Sequence, residues 1–384
     1  MNPRTLPLDK KLERALQSGH PWLYRNHLPA RHGLKHGDWV RLQAGKGRAV
    51  GLYDDHGQIA VRLFAADEVP GRALIARRVN DALDLRDMTV ANRDTNAYRL
   101  VYGEGDYLPG ITVDRYERYA VLQLYGSSLE ALVPEVLHAL THRLSLRGVL
   151  QRRSGELEAI WGQRPPPEVT VSENGIKLIA NLYEGQKTGL FLDHRDNRAT
   201  LQLLCKDKRV LNLFSYTGAF SLYALAGGAA EVTSVDTASA ATEDARRNFA
   251  INGYDPDAHH FLTADAFGLL DEWAAQGKQF DVVVLDPPSL ARNKESRFAA
   301  LRAYRKLNTQ AARCVVPGGL LATASCTAQV SPTDFRELLG EAGAAAGRRL
   351  QIIHEAGHAP DHPVPAAFPE GRYLKFIVAR VLEG

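Results

Sequence analysis

The chain has 384 residues, 45% of them hydrophobic and 24% charged, with a net charge of +3. This is ordinary for a globular protein of two or three domains, and no apolar run approaches the ~20 residues of a membrane span. Three cysteines without CxxC spacing argue against a disulfide framework and a structural zinc, and the N-terminus has no signal-peptide core; both point to a reducing, cytoplasmic setting.

In chain order, residues 1–75 predict a compact β-rich module. A helix over Lys10–Gln17 stops at Gly19, and short strands follow at Gly37–Leu42, Gly47–Tyr53 and Ile59–Phe64, separated by Gly- and Asp-rich turns. Residues 1–64 hold 11 Lys/Arg against 5 Asp/Glu, a balance of +6, while the remaining 320 residues carry −3. A basic module on a near-neutral body is the electrostatic footprint of a nucleic-acid partner; the plainer reading is a solvated basic surface. The stretch Gly19-His20-Pro21-Trp22, with GDWVRL and GLYDDHGQIAVRLF, resembles a PUA domain, a small RNA-binding barrel.

Residues 76–181 predict a small α/β module. Strands are expected at Tyr98–Tyr102, Ile111–Arg115 and Tyr119–Tyr125, and an amphipathic helix over Ser128–Leu144. Pro165–Pro167 is a stiff connector, and Glu168–Asn181 reads as a hairpin turning at Asn174-Gly175. No catalytic constellation is visible here, so a platform is the expected role.

Residues 182–384 alternate strand and helix. Strands are expected at Val210–Phe214, Glu231–Val235, His260–Thr263, Phe280–Leu285, Gly319–Ala324, Leu350–His354 and Tyr373–Val381. Five strand–helix units predict a doubly wound, mostly parallel sheet. The last two strands, joined by a Pro-rich loop, are expected to form an antiparallel edge hairpin. This seven-stranded, Rossmann-like α/β pattern resembles the class I fold of S-adenosylmethionine (SAM)-dependent methyltransferases.

The turn after the first strand, Phe214-Ser215-Tyr216-Thr217-Gly218, has one glycine. A pyrophosphate needs the close backbone approach of GxGxxG, so NAD and FAD are disfavoured. SAM has no phosphate, and its carboxylate and ammonium can be met by turn groups near a helix N-terminus. Asp236 ends the second strand, where a carboxylate suits two ribose hydroxyls; the alternative is a helix cap. Asp265, followed by Ala266, is placed for the adenine amino group, against the common N-cap role of such an acid.

The fourth strand runs into Asp286-Pro287-Pro288-Ser289, which puts Asp286 at the carboxyl end of the sheet, where ligands bind. Enzymes that methylate exocyclic amines of bases typically carry an aromatic residue at the place of Ser289, which weakens an amino-group target. The fifth strand delivers Ser325-Cys326-Thr327, so Cys326 reads as a nucleophile, whereas Cys205 and Cys314 fall in helical patterns and read as small buried hydrophobes. Pyrimidine C5 is a poor nucleophile until a thiolate adds to C6, which supplies a reason for a cysteine. Asp286, if protonated or water-bridged, could then hydrogen-bond the cytosine N3 edge. His354, His358 and His362 are spaced by four, but Pro360 and Pro363 break the helix that would align them, and no metal is expected.

Together, the PUA-like module, YGEGDYLPGITVDRY, GQKTGLFLDHRDNR, LNLFSYTGAFSLYALAGGA, SVDTA, DPPSLAR and SCT resemble the RlmI-type methyltransferases, which make 5-methylcytidine in large-subunit (23S) ribosomal RNA. The resemblance implies SAM as cofactor, Cys326 as nucleophile, and a contribution of Lys187, Thr188, Asp193 and Arg195 to the cofactor and active-site pocket. Ribosomal RNA is the implied partner; a homodimer is compatible with it and a membrane is not expected. No second cysteine lies between Asp286 and Ser289, so product release would proceed without one. Related enzymes with a similar sheet methylate guanine, and an RNA-binding assembly factor retaining the fold is the non-enzymatic alternative.

Overall fold

The structure is a computed structural model describing residues 3–384 apart from 91–93, 154–155, 186, 292 and 294. Gln186 and Arg292, members of two of the motifs above, therefore lie outside the described residues. Two compact units emerge: residues 3–171, 180–192 and 360–371 form the first, and residues 172–179, 193–359 and 372–384 the second.

The first unit contains two five-stranded sheets. In one, Trp39–Ala44, Gly47–Tyr53 and Ile59–Ala65 pair antiparallel, as the turn spacing requires. Two further strands extend this sheet, Arg4–Pro7 parallel to Trp39–Ala44 and Trp22–Tyr24 antiparallel to Ile59–Ala65. The other sheet has the order Glu156–Gly162, Gly148–Arg153, Tyr119–Leu124, Ile111–Tyr116, Ala97–Tyr102. Helices Arg72–Thr89 and Val133–Arg143 cover it. Leu52 and Phe64 of the first sheet are buried in the same apolar cluster as Ile75, Leu83 and Val136, so the two sheets share a core. Asp54 reinforces that join by accepting from the Ser128 N–H and hydroxyl at 3.2 and 3.1 Å.

The second unit is a seven-stranded sheet. Its strands are β1 (Arg209–Leu213), β2 (Glu231–Asp236), β3 (His260–Thr263), β4 (Phe280–Leu285), β5 (Val315–Ser325), β6 (Arg348–Ala356) and β7 (Lys375–Glu383), in the order β3-β2-β1-β4-β5-β7-β6. The helices are α1 (Arg195–Gln202), α2 (Ala219–Ala226), α3 (Ser239–Ile251), α4 (Ala266–Gln276), α5 (Arg297–Arg313) and α6 (Pro332–Ala346). β1–β5 run parallel, and their apolar residues Leu211, Leu213, Val283, Leu285 and Leu321 are buried because helices cover the sheet.

β6 and β7 pair antiparallel and form the expected hairpin at one edge of the sheet, with β7 next to β5 and β6 outermost. The burial pattern supplies the reason. Lys375–Ala379 are buried without interruption, as in an interior strand, whereas β6 alternates half-buried and exposed residues. The strand order reverses between β1 and β4, leaving a crevice at the carboxyl ends of these strands.

Candidate active site

The first carboxyl-end loop is the turn after β1. Phe214 and Tyr216 take left-handed φ values of 58° and 46°, and Gly218 takes 79°. Non-glycine residues hold such values only where the surroundings enforce them. Here the Ser215 N–H is held by the Val235 carbonyl at 2.9 Å, and the Tyr216 N–H by Asp236 Oδ2 at 2.9 Å. Gly218 is required as well as permitted: a Cβ there would stand 3.0 Å from Ala245 Cβ. Beneath the turn, buried Asn212 donates to Ser221 Oγ at 2.9 Å, which bonds Ser234 Oγ at 2.7 Å, tying β1, α2 and β2 together. This polar relay carried no signal in the sequence beyond three small polar residues inside apolar elements.

Asp236 sits at the end of β2, half-buried, with Oδ1 accepting from the Ala238 N–H at 3.0 Å. Each carboxylate oxygen accepts one backbone bond and keeps capacity for another, which fits a ribose diol. The hydroxyls of Ser215 and Thr217 are buried without hydrogen-bond partners, and orphan donors of that kind fit a bound carboxylate. Phe214 meets Phe267 edge-on at 6.2 Å between ring centroids, an apolar contact of the sort an adenine ring borders. Asp265 is exposed and accepts from the Gly268 N–H at 2.9 Å, so it caps α4, with Ala266 buried behind it. The donor set of this turn and of Asp236 fits SAM.

The second cluster lies at the ends of β4 and β5, which are paired neighbours through Leu285 and Thr323. That pairing brings Asp286 and Cys326 to one place: Cys326 Sγ lies 3.8 Å from the Pro287 carbonyl. Cys326 is half-buried. Cys205 and Cys314 are fully buried, and burial pushes their thiols up to about 12 and about 11, which leaves them inert. Burial also pushes the Tyr304 phenol up to about 12; Ser325 beside it pulls the other way, and the Cys326 and Asp286 charges push it further.

His194, unremarked in the sequence, belongs to this cluster. Its Nε2 faces Asp286 Oδ1 at 3.4 Å, and its Nδ1 lies 3.0 Å from Asn197 Nδ2. An amide nitrogen can only donate, so Nδ1 accepts and Nε2 carries the proton toward Asp286. Asp193, its buried neighbour, accepts from the Tyr373 hydroxyl, and the Asp193 carbonyl holds the Ala359 N–H at 3.0 Å. Arg195 is fully buried, with Nε on Asp196 at 3.1 Å.

Lys187 and Thr188 are placed in the first unit. The Thr188 hydroxyl donates to Asp114 at 2.6 Å and bonds Tyr116 at 2.7 Å, and the exposed Lys187 rests its ammonium 4.4 Å over the Phe191 ring. Among the described residues, one set of metal-type donors converges, His36, Asp54, Asp55 and His56, within 4.8 Å of one another. The two imidazoles hydrogen-bond the same Asp55 oxygen at 2.6 and 2.5 Å, which accounts for the convergence without an ion. No helix among the described residues is long and apolar enough to cross a membrane.

Comparison with known proteins bears directly on this geometry. Residues 118–369 match the family described as S-adenosylmethionine-dependent methyltransferase, and residues 6–66 match a PUA-like domain. The chain is 38% identical over 390 residues to the ribosomal RNA large subunit methyltransferase I of Alteromonas mediterranea, spanning 98% of each chain. It is 38% identical over 394 residues to the protein of the same name from Tolumonas auensis, spanning 98% of this chain and 99% of that one. A solved structure of a methyltransferase complexed with SAH matches with a TM-score of 0.88 at 25% identity, over 98% of this chain and 100% of that one. The chain therefore belongs to the S-adenosylmethionine-dependent methyltransferases, in the RlmI-type family that carries an N-terminal PUA-like domain.

Proposed function

We propose that this protein methylates C5 of a cytosine in large-subunit (23S) ribosomal RNA through a covalent Cys326 adduct. The observation that carries the reading is the half-buried Cys326 at the end of β5, its sulfur 3.8 Å from the Pro287 carbonyl in the loop of Asp286. The relatives' names support ribosomal RNA as substrate.

SAM, when bound, supplies an electrophilic methyl group. The turn 214–218 and Asp236 would hold its amino-acid and ribose ends, with Asp265 and Ala266 at the adenine. The Cys326 thiolate adds to cytosine C6, and the electron pair displaced from the C5–C6 double bond makes C5 nucleophilic. Asp286, whose Oδ1 lies 3.4 Å from His194 Nε2, would donate to N3 as a protonated carboxyl, or through a bridging water, as negative charge develops there. Once C5 is methylated, the C5 proton passes to water, the C5–C6 double bond re-forms, and the C6–S bond breaks with its pair on sulfur. Arg195 at the start of α1, and Asp193 in the turn before it, would shape the pocket wall, while Lys187 and Thr188 would act by fixing the segment that leads into it.

Residues 1–75 are proposed as the RNA-binding part, 76–181 as a platform and 182–384 as the catalytic part. The test uses labelled SAM, 23S rRNA and nucleoside mass spectrometry. Wild type is expected to form 5-methylcytidine, and Cys326→Ala to lose at least ~10³-fold in rate. Full methylation by Cys326→Ala, or label appearing in guanosine, would overturn the reading.

A further inference from the structure

Lys375 opens β7 and is only 3% exposed. In the β5–β7 register it stands opposite Ser325, the residue before Cys326. Its ammonium donates to the Thr327 carbonyl, the residue after Cys326, and to the Tyr373 carbonyl at 2.9 Å. The lysine is thus anchored on both sides of the nucleophile. Two neutral carbonyls do not neutralise a buried cation, which is costly to leave without an anion. Among the described residues, the carboxylate whose charge acts on it is Asp334. That carboxylate is already ion-paired to Arg297 at 2.8 Å and engaged in the capping box of α6. The other charge acting on Lys375 is Cys326 itself. Burial draws the ammonium down to about 8, and the Cys326 charge acts in the opposite sense.

We propose that Lys375 is a positioning residue that holds Cys326 as a thiolate, making one sulfur both the attacking group and the leaving group. This rests on the proposed role of Cys326. It also answers how product leaves in a chain whose Asp286 loop carries no second cysteine. Formation of the adduct turns the thiolate into a neutral thioether and strands the Lys375 cation. Expulsion of the sulfur with its electron pair restores the ion pair, so the cation favours the release step as well as the attack. A neighbouring opposite charge lowers the pKa of an acidic group by about one unit or more.

The test is the pH dependence of iodoacetamide alkylation at Cys326, read by peptide mass spectrometry on the full chain. Lys375→Met is expected to move the Cys326 titration up by about one pH unit and to slow alkylation at pH 7 about tenfold, with Lys375→Arg restoring most of it. An unchanged profile in folded Lys375→Met would overturn the proposal. Should that variant fail to fold, the reciprocal measurement decides. The Lys375 side chain, followed by carbon NMR, should titrate lower in Cys326→Ser than in wild type, and an identical titration would overturn it. Neither readout uses RNA, so a cytosine that proves not to be the substrate leaves this inference standing, and the reverse also holds.

Discussion

A single acid carries most of what the cofactor turn needs. Asp236 accepts the Tyr216 and Ala238 N–H groups at 2.9 and 3.0 Å, so the residue proposed to take the ribose also holds Tyr216 in its left-handed conformation. Asp236→Ala would remove two ligand bonds and release the turn. The expected loss is about 2–3 kcal/mol of SAM binding, a 30- to 150-fold rise in Kd by calorimetry, with little change in thermal stability because the site is half-exposed. A variant that bound SAM unchanged would place the ribose elsewhere. Asp236 and Cys326 were legible in the sequence because each closes an apolar strand, and the end of a strand in such a sheet is a defined place. His194 and Lys375 were not, because their meaning depends on long-range pairing. Only the register that sets Lys375 opposite Ser325 makes it a neighbour of Cys326, although a lone lysine inside the apolar run YLKFIV was a usable signal.

At the scale of elements, α1 shows how buried charge fixes a functional segment. Arg198 is buried and forks onto Glu173 at 2.8 and 2.7 Å, and the Tyr223 hydroxyl adds a third bond to the same carboxylate at 3.0 Å. The helix so anchored begins at Arg195, directly after Asp193 and His194. Glu173→Gln would remove the carboxylate onto which the buried guanidinium forks. It should cost about 3–5 kcal/mol in urea denaturation, and the paired change Glu173→Leu with Arg198→Met should recover most of that. Equal losses in the single and double variants would show that packing, and not charge, holds α1. Elements were missed for the same kind of reason. In Arg72–Thr89 the buried stripe Ile75, Val79, Ala82, Leu83 ends in Arg86, whose charge breaks the apolar period while its guanidinium pairs with Asp106 at 2.7 Å. Glu156–Gly162 is an outer strand with no buried residue, so it lacks the alternation that marks a strand. The strands β1 and β4 were readable because helices bury them into largely apolar runs.

At the scale of the whole molecule, chemistry and charge are kept apart. The cofactor turn, Asp286 and Cys326 belong to the second unit, while the basic balance of residues 1–64 belongs to the first. An RNA substrate would then be gripped through phosphates by groups that take no part in methyl transfer. Arg31, Lys35, Lys46 and Arg48 are exposed, and Lys46 sits in the turn between two strands of the PUA-like sheet. Each phosphate contact on a single strand contributes about 0.7 to the slope of log K against log salt. Charge reversal at Arg31 and Lys35 should therefore weaken RNA binding and flatten the salt dependence by about 1.4, with the SAM Kd unchanged. Filter binding across a salt series reads both quantities. A loss of affinity with an unaltered slope would mean that these residues act through shape, and an unaltered affinity would move the RNA path away from this face of the basic module.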